Sequence, residues 1–268
     1  MSLIDLLYSN APGRAALKLA LDMGVPKMMA GILCSPMSRH LIPLFVEKYG
    51  IDLTDFVAEH YDCFADFFVR RKLKTPFDAE SSHFISPCES NLSAFPISRL
   101  SGITIKGSHY RLCDILGDAK LADDFRDGLC LVFRLTVSDY HRYIFMDDGY
   151  SHESHFIEGE LHSVQPISCE SFPVYRLNRR WWTLLETEHF GPIVQTEIGA
   201  MAVGGVVNEK QNAHFQRGEE RGRFEIRGST IVLLLKKDTI RLRDDIVAAL
   251  KVQPEIKVGL GEWIGTKI

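Results

Sequence analysis

Near residue 75 the chain changes texture, and that change limits the folds open to it. Beyond Pro76, short β-branched and apolar runs recur between Gly, Pro, Asn and Asp: Ile103–Lys106, Leu129–Thr136, Ile193–Ile198, Val203–Val207 and Thr230–Leu235. Side chains of this kind suit a pleated, half-buried surface, and the residues between them make turns. The spacing predicts many short strands in a barrel or sandwich. Helix is expected there only at Tyr110–Leu116, and Val252–Ile268 is expected to close the chain with strands and turns.

Residues 1–75 read as helical. Ala15, Ala16, Leu17, Leu19, Ala20 and Leu21 favour helix, Gly24-Val25-Pro26 punctuates the run, and Met28–Cys34 is apolar again. Ser38–Tyr49 predicts a helix closed by Gly50. Leu53–Glu59, with Asp52 as N-cap, and Phe64–Val69 predict shorter ones. Leu3, Ile4, Leu6, Leu7, Met28, Met29, Ile32 and Leu33 supply an apolar face. Such a face either covers the rest of the protein or rests on a bilayer, with Arg14, Lys18, Lys27 and Arg39 able to reach head groups. The longest apolar stretch, Leu19–Cys34, is interrupted by Asp22, Pro26 and Lys27, so it does not predict a span. The expected class is α+β: N-terminal helices over residues 1–75, then a β-rich, barrel- or sandwich-like catalytic core over 76–268.

Composition narrows the function. Of 268 residues, 31 are basic and 35 acidic, a net charge of −4 that argues against a general grip on nucleic acid. The six cysteines form no Cys-x-x-Cys pair, which disfavours a zinc ribbon or thioredoxin-type site. With no basic n-region or continuous apolar h-region at the start, they are expected to be free thiols in a reducing compartment. His152, His155 and His162 lack the carboxylate spacing of a metal site, so no metal is expected.

Three constellations carry chemistry. In Gly228-Ser229-Thr230, ahead of a buried strand, glycine permits strained backbone and the serine hydroxyl can approach the preceding carbonyl carbon. Attack there gives an ester, and β-elimination leaves a dehydroalanine that hydrolyses to an N-terminal pyruvoyl group. By itself the tripeptide also reads as an ordinary turn. In Asp139-Tyr140-His141-Arg142-Tyr143, His141 is suited to proton transfer near neutral pH. In Ser86-Pro87-Cys88-Glu89-Ser90-Asn91, Glu89 is a carboxylate able to orient a histidine.

The order of motifs adds more. Phe67-Phe68-Val69-Arg70-Arg71, Ser86-Pro87-Cys88, Lys106-Gly107-Ser108-His109-Tyr110, Asp139-Tyr140-His141-Arg142, Gly159-Glu160-Leu161-His162, Asn178-Arg179-Arg180, Gly199-Ala200-Met201-Ala202-Val203-Gly204, Arg217-Gly218-Glu219, Gly228-Ser229-Thr230 and Val258-Gly259-Leu260-Gly261-Glu262 follow one another. As a collinear set from about residue 64 onward, they resemble the phosphatidylserine decarboxylase proenzymes. The resemblance implies self-cleavage between Gly228 and Ser229, with Ser229 becoming a covalent pyruvoyl cofactor. That group acts as an electron sink for decarboxylating phosphatidylserine to phosphatidylethanolamine. It also implies a peripheral protein on the cytoplasmic side of the cell membrane, with its cleaved α and β chains still associated; a homodimer is left open.

The sequence departs from the family at two positions. Where many members have Asp and a second His, this chain has Glu89 and Ile144; in its Ser-Pro-Cys-x-Ser turn and missing second histidine it resembles the clostridial-type branch. His141 and Glu89 are therefore expected to serve Ser229. Decarboxylation of a free amino acid and a lipid-binding pseudoenzyme are the alternatives.

Overall fold

The strand Ser229–Leu235 is the spine of the molecule. All seven residues are buried, as an uninterrupted Ser-Thr-Ile-Val-Leu-Leu-Leu run requires of a sheet covered on both faces. The computed structural model describes residues 3–57, 60–105, 108–200, 205–226 and 229–268. Within them this strand lies antiparallel between Leu129–Leu135 and Gly191–Ile198. The full sheet has nine strands. From one edge the order is Ala213–Phe215, Gly149–Ser151, Arg180–Thr187, Gly191–Ile198, Ser229–Leu235, Leu129–Leu135, Ser90–Pro96 and Ile256–Val258, with His155–Ile157 also pairing Arg180–Thr187.

That path has two free ends, so the barrel expected from strand spacing does not close. The core is layered instead. On one face, Leu131, Phe133, Ile231 and Leu233 pack with Tyr143 and Phe224. The last two come from a three-stranded sheet of Val206–Asn208, Glu220–Phe224 and Arg142–Ile144. On the other face, Val132, Val194, Val232 and Leu234 pack with Ile103, Tyr110, Leu116 and Tyr175. The α+β class holds, with a sandwich-like arrangement in place of a barrel.

The N-terminal segment forms helices Leu3–Ser9, Ala11–Asp22 and Val25–Leu33, a 3-10 turn Pro36–His40, and a helix Leu41–Tyr49 that ends on Gly50 at φ 60°. Phe64–Phe68 is helical. Leu53–Glu59 is not a helix as far as it is described. Phe56 bridges to Lys72, and Val57 N–H donates to Arg71 O at 2.9 Å, because an extended partner was available nearby. Asp52 caps the turn at Thr54 instead, at 2.9 Å. Tyr110 belongs to the strand Ser108–Arg111, and the helix starts at Leu112. The helix Asp244–Val252, with two aspartates in its first turn and Ile246 buried, was not expected.

Tyr8 stitches the first helix to the core: it is fully buried and its hydroxyl accepts from Ser163 N–H at 2.9 Å. Leu33, Phe64, Phe67 and Phe68 form a cluster with Ile226 of the core. The outer surface is apolar. Leu6, Leu19, Met23, Met28, Ile32 and Met37 are each 51–79% exposed. Leu33, expected on that surface, is buried, and Met29 is half-buried; the side chains of Leu3 and Ile4 lie outside the described residues. No single described helix is long and apolar enough to cross a membrane, and Val25–Leu33 with Pro36–Tyr49, which would suffice together, are bent by 73°.

Candidate active site

Ser229 opens the central strand opposite Leu135. Its backbone is held by a ladder while its hydroxyl is not: the side chain is fully buried and Oγ has no hydrogen-bond partner among the described residues. A buried hydroxyl without a partner costs about 1–3 kcal/mol, so an arrangement that keeps it free is a mark of reactivity or of a missing ligand. Gly228, the other half of the predicted scissile bond, lies outside the described residues. Two positions earlier Ile226 has φ 23°, a left-handed backbone unfavourable for a β-branched residue. Its side chain is clamped among Leu33, Phe64, Phe67 and Phe68.

His141 is likewise fully buried, packed against Phe68 with ring centroids 3.9 Å apart and planes tilted by 37°. Nδ1 donates to the carbonyl of Asp139 at 2.9 Å, which leaves Nε2 as an unprotonated acceptor, and Nε2 has no partner among the described residues. Burial pushes its pKa down to about 3, and the nearby cations Arg70 and Lys257 push the same way. At neutral pH the ring is a neutral base.

Short links tie the segment of His141 to the strand of Ser229. Leu135 pairs with Ser229, and the next residue, Thr136, gives its N–H to Asp139 Oδ2 at 2.7 Å. Phe224 N–H donates to His141 O at 2.9 Å, five residues before the serine.

Glu89 sits on the Ser86–Asn91 turn, half-exposed. It lies 3.5 Å from Lys257 Nζ, while the bond that orients His141 runs to the Asp139 main chain. The reason is geometric: the Ser86–Asn91 turn is pinned beside the histidine strand by Ile144 N–H to Pro87 O at 2.9 Å, yet at Glu89 it turns the carboxylate toward Lys257 and half-exposed surface. Ile144 sits in the apolar core at 2% exposure and neither accepts nor donates a proton through its side chain.

Sequence reasoning quoted Asp139 within a motif but missed its role. Its nearly buried carboxylate takes Lys257 Nζ at 2.5 Å and Thr136 N–H, fixing the loop that presents its own carbonyl to His141. Arg70 was missed too. It is 2% exposed, lies over Phe56 and Phe67 at 4.8 and 5.0 Å, and burial lowers its pKa. The Asp139 ion pair has no local signal, since Lys257 is 118 positions away, and Arg70 likewise gives its Nη2 to Ser138 O, 68 positions away.

His155 and His162 each stack on an aromatic ring. His155 stacks on Trp182 at 4.1 Å, and His162 stacks on Phe172 and pairs with Glu160 at 2.6 Å.

Residues 64–266 match the family described as phosphatidylserine decarboxylase. The chain is 39% identical over 265 residues to the phosphatidylserine decarboxylase proenzyme 2 of Clostridium acetobutylicum, across 98% of this chain and 91% of that protein. It is 35% identical over 272 residues to the proenzyme of Clostridium perfringens, across 98% and 92% of the two chains. With the proenzyme of Ruminiclostridium cellulolyticum it shares 35% over 275 residues, across 99% and 91%. The likeness runs beyond the strand that carries Ser229 and into the N-terminal helices, and on it the chain belongs to the phosphatidylserine decarboxylase family.

Proposed function

We propose that this protein decarboxylates phosphatidylserine to phosphatidylethanolamine after breaking its own chain between Gly228 and Ser229. One observation carries the reading: Ser229 Oγ and His141 Nε2 are both buried and both left without a hydrogen-bond partner among the described residues, on segments tied together through Asp139. Self-cleavage needs a nucleophilic hydroxyl and a base nitrogen within reach of each other, and neither group here is committed to another partner among the described residues.

In that cleavage Ser229 Oγ attacks the Gly228 carbonyl carbon. A C–O bond forms, the C–N bond breaks, and the hydroxyl proton passes through His141 Nε2 to the departing Ser229 nitrogen. Loss of the Ser229 Cα proton then expels the Gly228 carboxylate, and water displaces ammonia to leave the pyruvoyl group. The surroundings fit that group: an orphaned buried position at the start of a fixed strand keeps bulk water from an electrophilic carbonyl. A pyruvoyl group supplies a carbonyl that engages the substrate amine and takes up the electron pair released with CO₂. His141 Nε2, unprotonated at neutral pH, acts first as a base and then returns a proton to the substrate α-carbon.

The ladder around Ser229 also explains how the two products of cleavage stay together. Residues 229–268 supply Ser229–Leu235, Ile256–Val258 and Trp263–Lys267, which pair with Leu129–Leu135, Ser90–Pro96 and His83–Ile85 of the longer product. The exposed apolar surface of residues 6–37, with Arg14, Lys18, Lys27 and Arg39, favours a lipid over a free amino acid as substrate and a peripheral seat on the bilayer. By the family resemblance, that seat is on the cytoplasmic side.

Purified protein incubated with phosphatidylserine vesicles tests this reading. It should release CO₂ and phosphatidylethanolamine. On intact mass spectrometry it should run as two products of roughly 26 and 4.5 kDa, scaled by length from 30.4 kDa. An intact 30.4 kDa chain without turnover overturns it.

A further inference from the structure

A cavity of about 720 Å³ opens where the helices Ala11–Asp22 and Val25–Leu33 meet the core, a size suited to a small amphiphile. Leu17 and Leu21 from the helices face Phe172 and Leu177 from the core. Its charged residues come from both sides: Arg14, Lys18, Lys27 and Arg179 against Asp22 and Glu160. Glu160 is already paired with His162, so the lining has a surplus of positive charge.

Arg179 stands apart among these. Its neighbour Arg180 spends its guanidinium on the carbonyls of Ile115, Asp114, Arg176 and Asn178, all within 2.9 Å. Arg179 has no carboxylate partner among the described residues, and its Nε is buried without a hydrogen bond. A guanidinium placed this way calls for an anion.

The sheet register says where the side chain goes. Ile198 lies opposite Arg180 on one side and Thr230 on the other. The same register, continued by one residue, makes a row of Arg179, Gly199 and Ser229 across three adjacent strands, and Gly199 N–H donates to Arg179 O at 3.0 Å. Residues directly opposite in antiparallel strands point to the same face. Arg179 crosses the gap that glycine leaves: its Cγ and Cδ lie 3.3 and 3.8 Å from where a Gly199 Cβ would stand. The stem thus runs from the cavity toward the serine.

We propose that Arg179 binds the phosphodiester of the substrate phospholipid and that the cavity seats the glycerol and the first part of its acyl chains. The proposal rests on the phosphatidylserine reading of Ser229. In that substrate the phosphorus and the amine-bearing carbon are separated by three bonds, about 4 Å. Adjacent strands are about 4.8 Å apart, so a guanidinium reaching over Gly199 meets the phosphodiester while the amine meets residue 229. Pairing with the carboxylate instead would stabilise the group that must be lost, and so oppose reaction.

Short-chain phosphatidylserine and phosphatidylethanolamine separate these roles, because the second has the phosphodiester and no carboxylate. In full-length Arg179→Gln, confirmed as cleaved by mass spectrometry, KM for phosphatidylserine should rise roughly 10- to 100-fold, the loss of one charged hydrogen-bond pair. kcat should change much less. The dissociation constant for phosphatidylethanolamine, measured by calorimetry, should rise by the same factor, and Arg179→Lys should recover part of both. Unchanged phosphatidylethanolamine binding in Arg179→Gln overturns the proposal, whether KM for phosphatidylserine rises or not. Calorimetry needs no turnover, so a wild-type protein inactive on phosphatidylserine would sink the functional reading and still leave Arg179 testable.

Discussion

His141 gives its Nδ1 proton to the main-chain carbonyl of Asp139, 2.9 Å away and only two residues earlier. The bond fixes the tautomer. Nε2 is left bare, and among the described residues no carboxylate touches the ring to hold a proton on it. The carbonyl sets direction and favours the imidazolium, but burial outweighs it and keeps the ring neutral. The proposed base thus takes its orientation from a main-chain carbonyl, in a chain that has Glu89 and Ile144.

His141→Ala should therefore block chain cleavage, by 100-fold or more in rate if proton transfer limits it. Time-resolved intact mass spectrometry reads this directly. A variant that cleaves and turns over at the wild-type rate would make His141 structural.

Acid should weaken the fold through the same ring. Its folded pKa, about 3, lies below the ordinary 6.5, so the unfolded chain binds the proton first. The stability this neutral ring contributes is present above pH 6.5 and is lost as pH falls toward 3, by about 1.4 kcal/mol per pH unit. Denaturant melts of wild type and His141→Gln, compared at several pH values in that window, should show a shallower decline for the variant.

Glu89→Gln should leave cleavage within about threefold of wild type, because its contact is a half-exposed ion pair with Lys257 worth less than about 1 kcal/mol. Lys257→Met should do more. Among the described residues it leaves the Asp139 carboxylate, 4% exposed, with only the Thr136 N–H, and loss of a charged hydrogen bond costs roughly 1.5–3 kcal/mol. Cleavage rates and melting curves for the two variants side by side test the order; a slower Glu89 variant would restore Glu89 to the machinery.

Ile226 holds a backbone angle that costs of order 1–3 kcal/mol for a residue of its kind, two positions ahead of the predicted scissile bond. Its clamp is the Leu33, Phe64, Phe67 and Phe68 cluster. Ile226→Gly relieves the strain and removes the clamp together. Cleavage should slow several-fold in the mass-spectrometric time course, and an accelerated variant would show that the strain hinders reaction.

Binding to vesicles should depend on Met28 and Ile32, which are 63% and 56% exposed. The double variant Met28→Glu, Ile32→Glu should float poorly with anionic liposomes while melting like wild type. Deleting residues 1–34 is a blunter test, since it also strips the buried Tyr8, Leu17 and Leu33. Equal flotation of the double variant would move the membrane contact elsewhere.

Much of the fold was legible locally. Ser229–Leu235 and Leu129–Leu135 were readable as strands because β-branched and apolar side chains run unbroken between turn residues. Gly50 marked a helix end because it takes φ 60° there. The misreadings share a cause. Phe56 reads as helical by its neighbours, yet it pairs with Lys72, and Asp244–Val252 is helical although its Ile-Val pair suits a strand. Weak propensities there yield to whichever partner the rest of the chain presents.

For the site, the sequence by itself determined the chemical types. It supplied a serine after glycine at the head of a buried run, one histidine in the motif that contains it, and an isoleucine where a second histidine could have stood. Only the tertiary structure decided what those groups touch. Nothing local says that Glu89 turns to Lys257, that the Asp139 carbonyl takes His141 Nδ1, or that the Arg179 stem lies over Gly199. A side chain's type is a property of one position, whereas its hydrogen-bond partner is set by strand register and by segments far away in sequence.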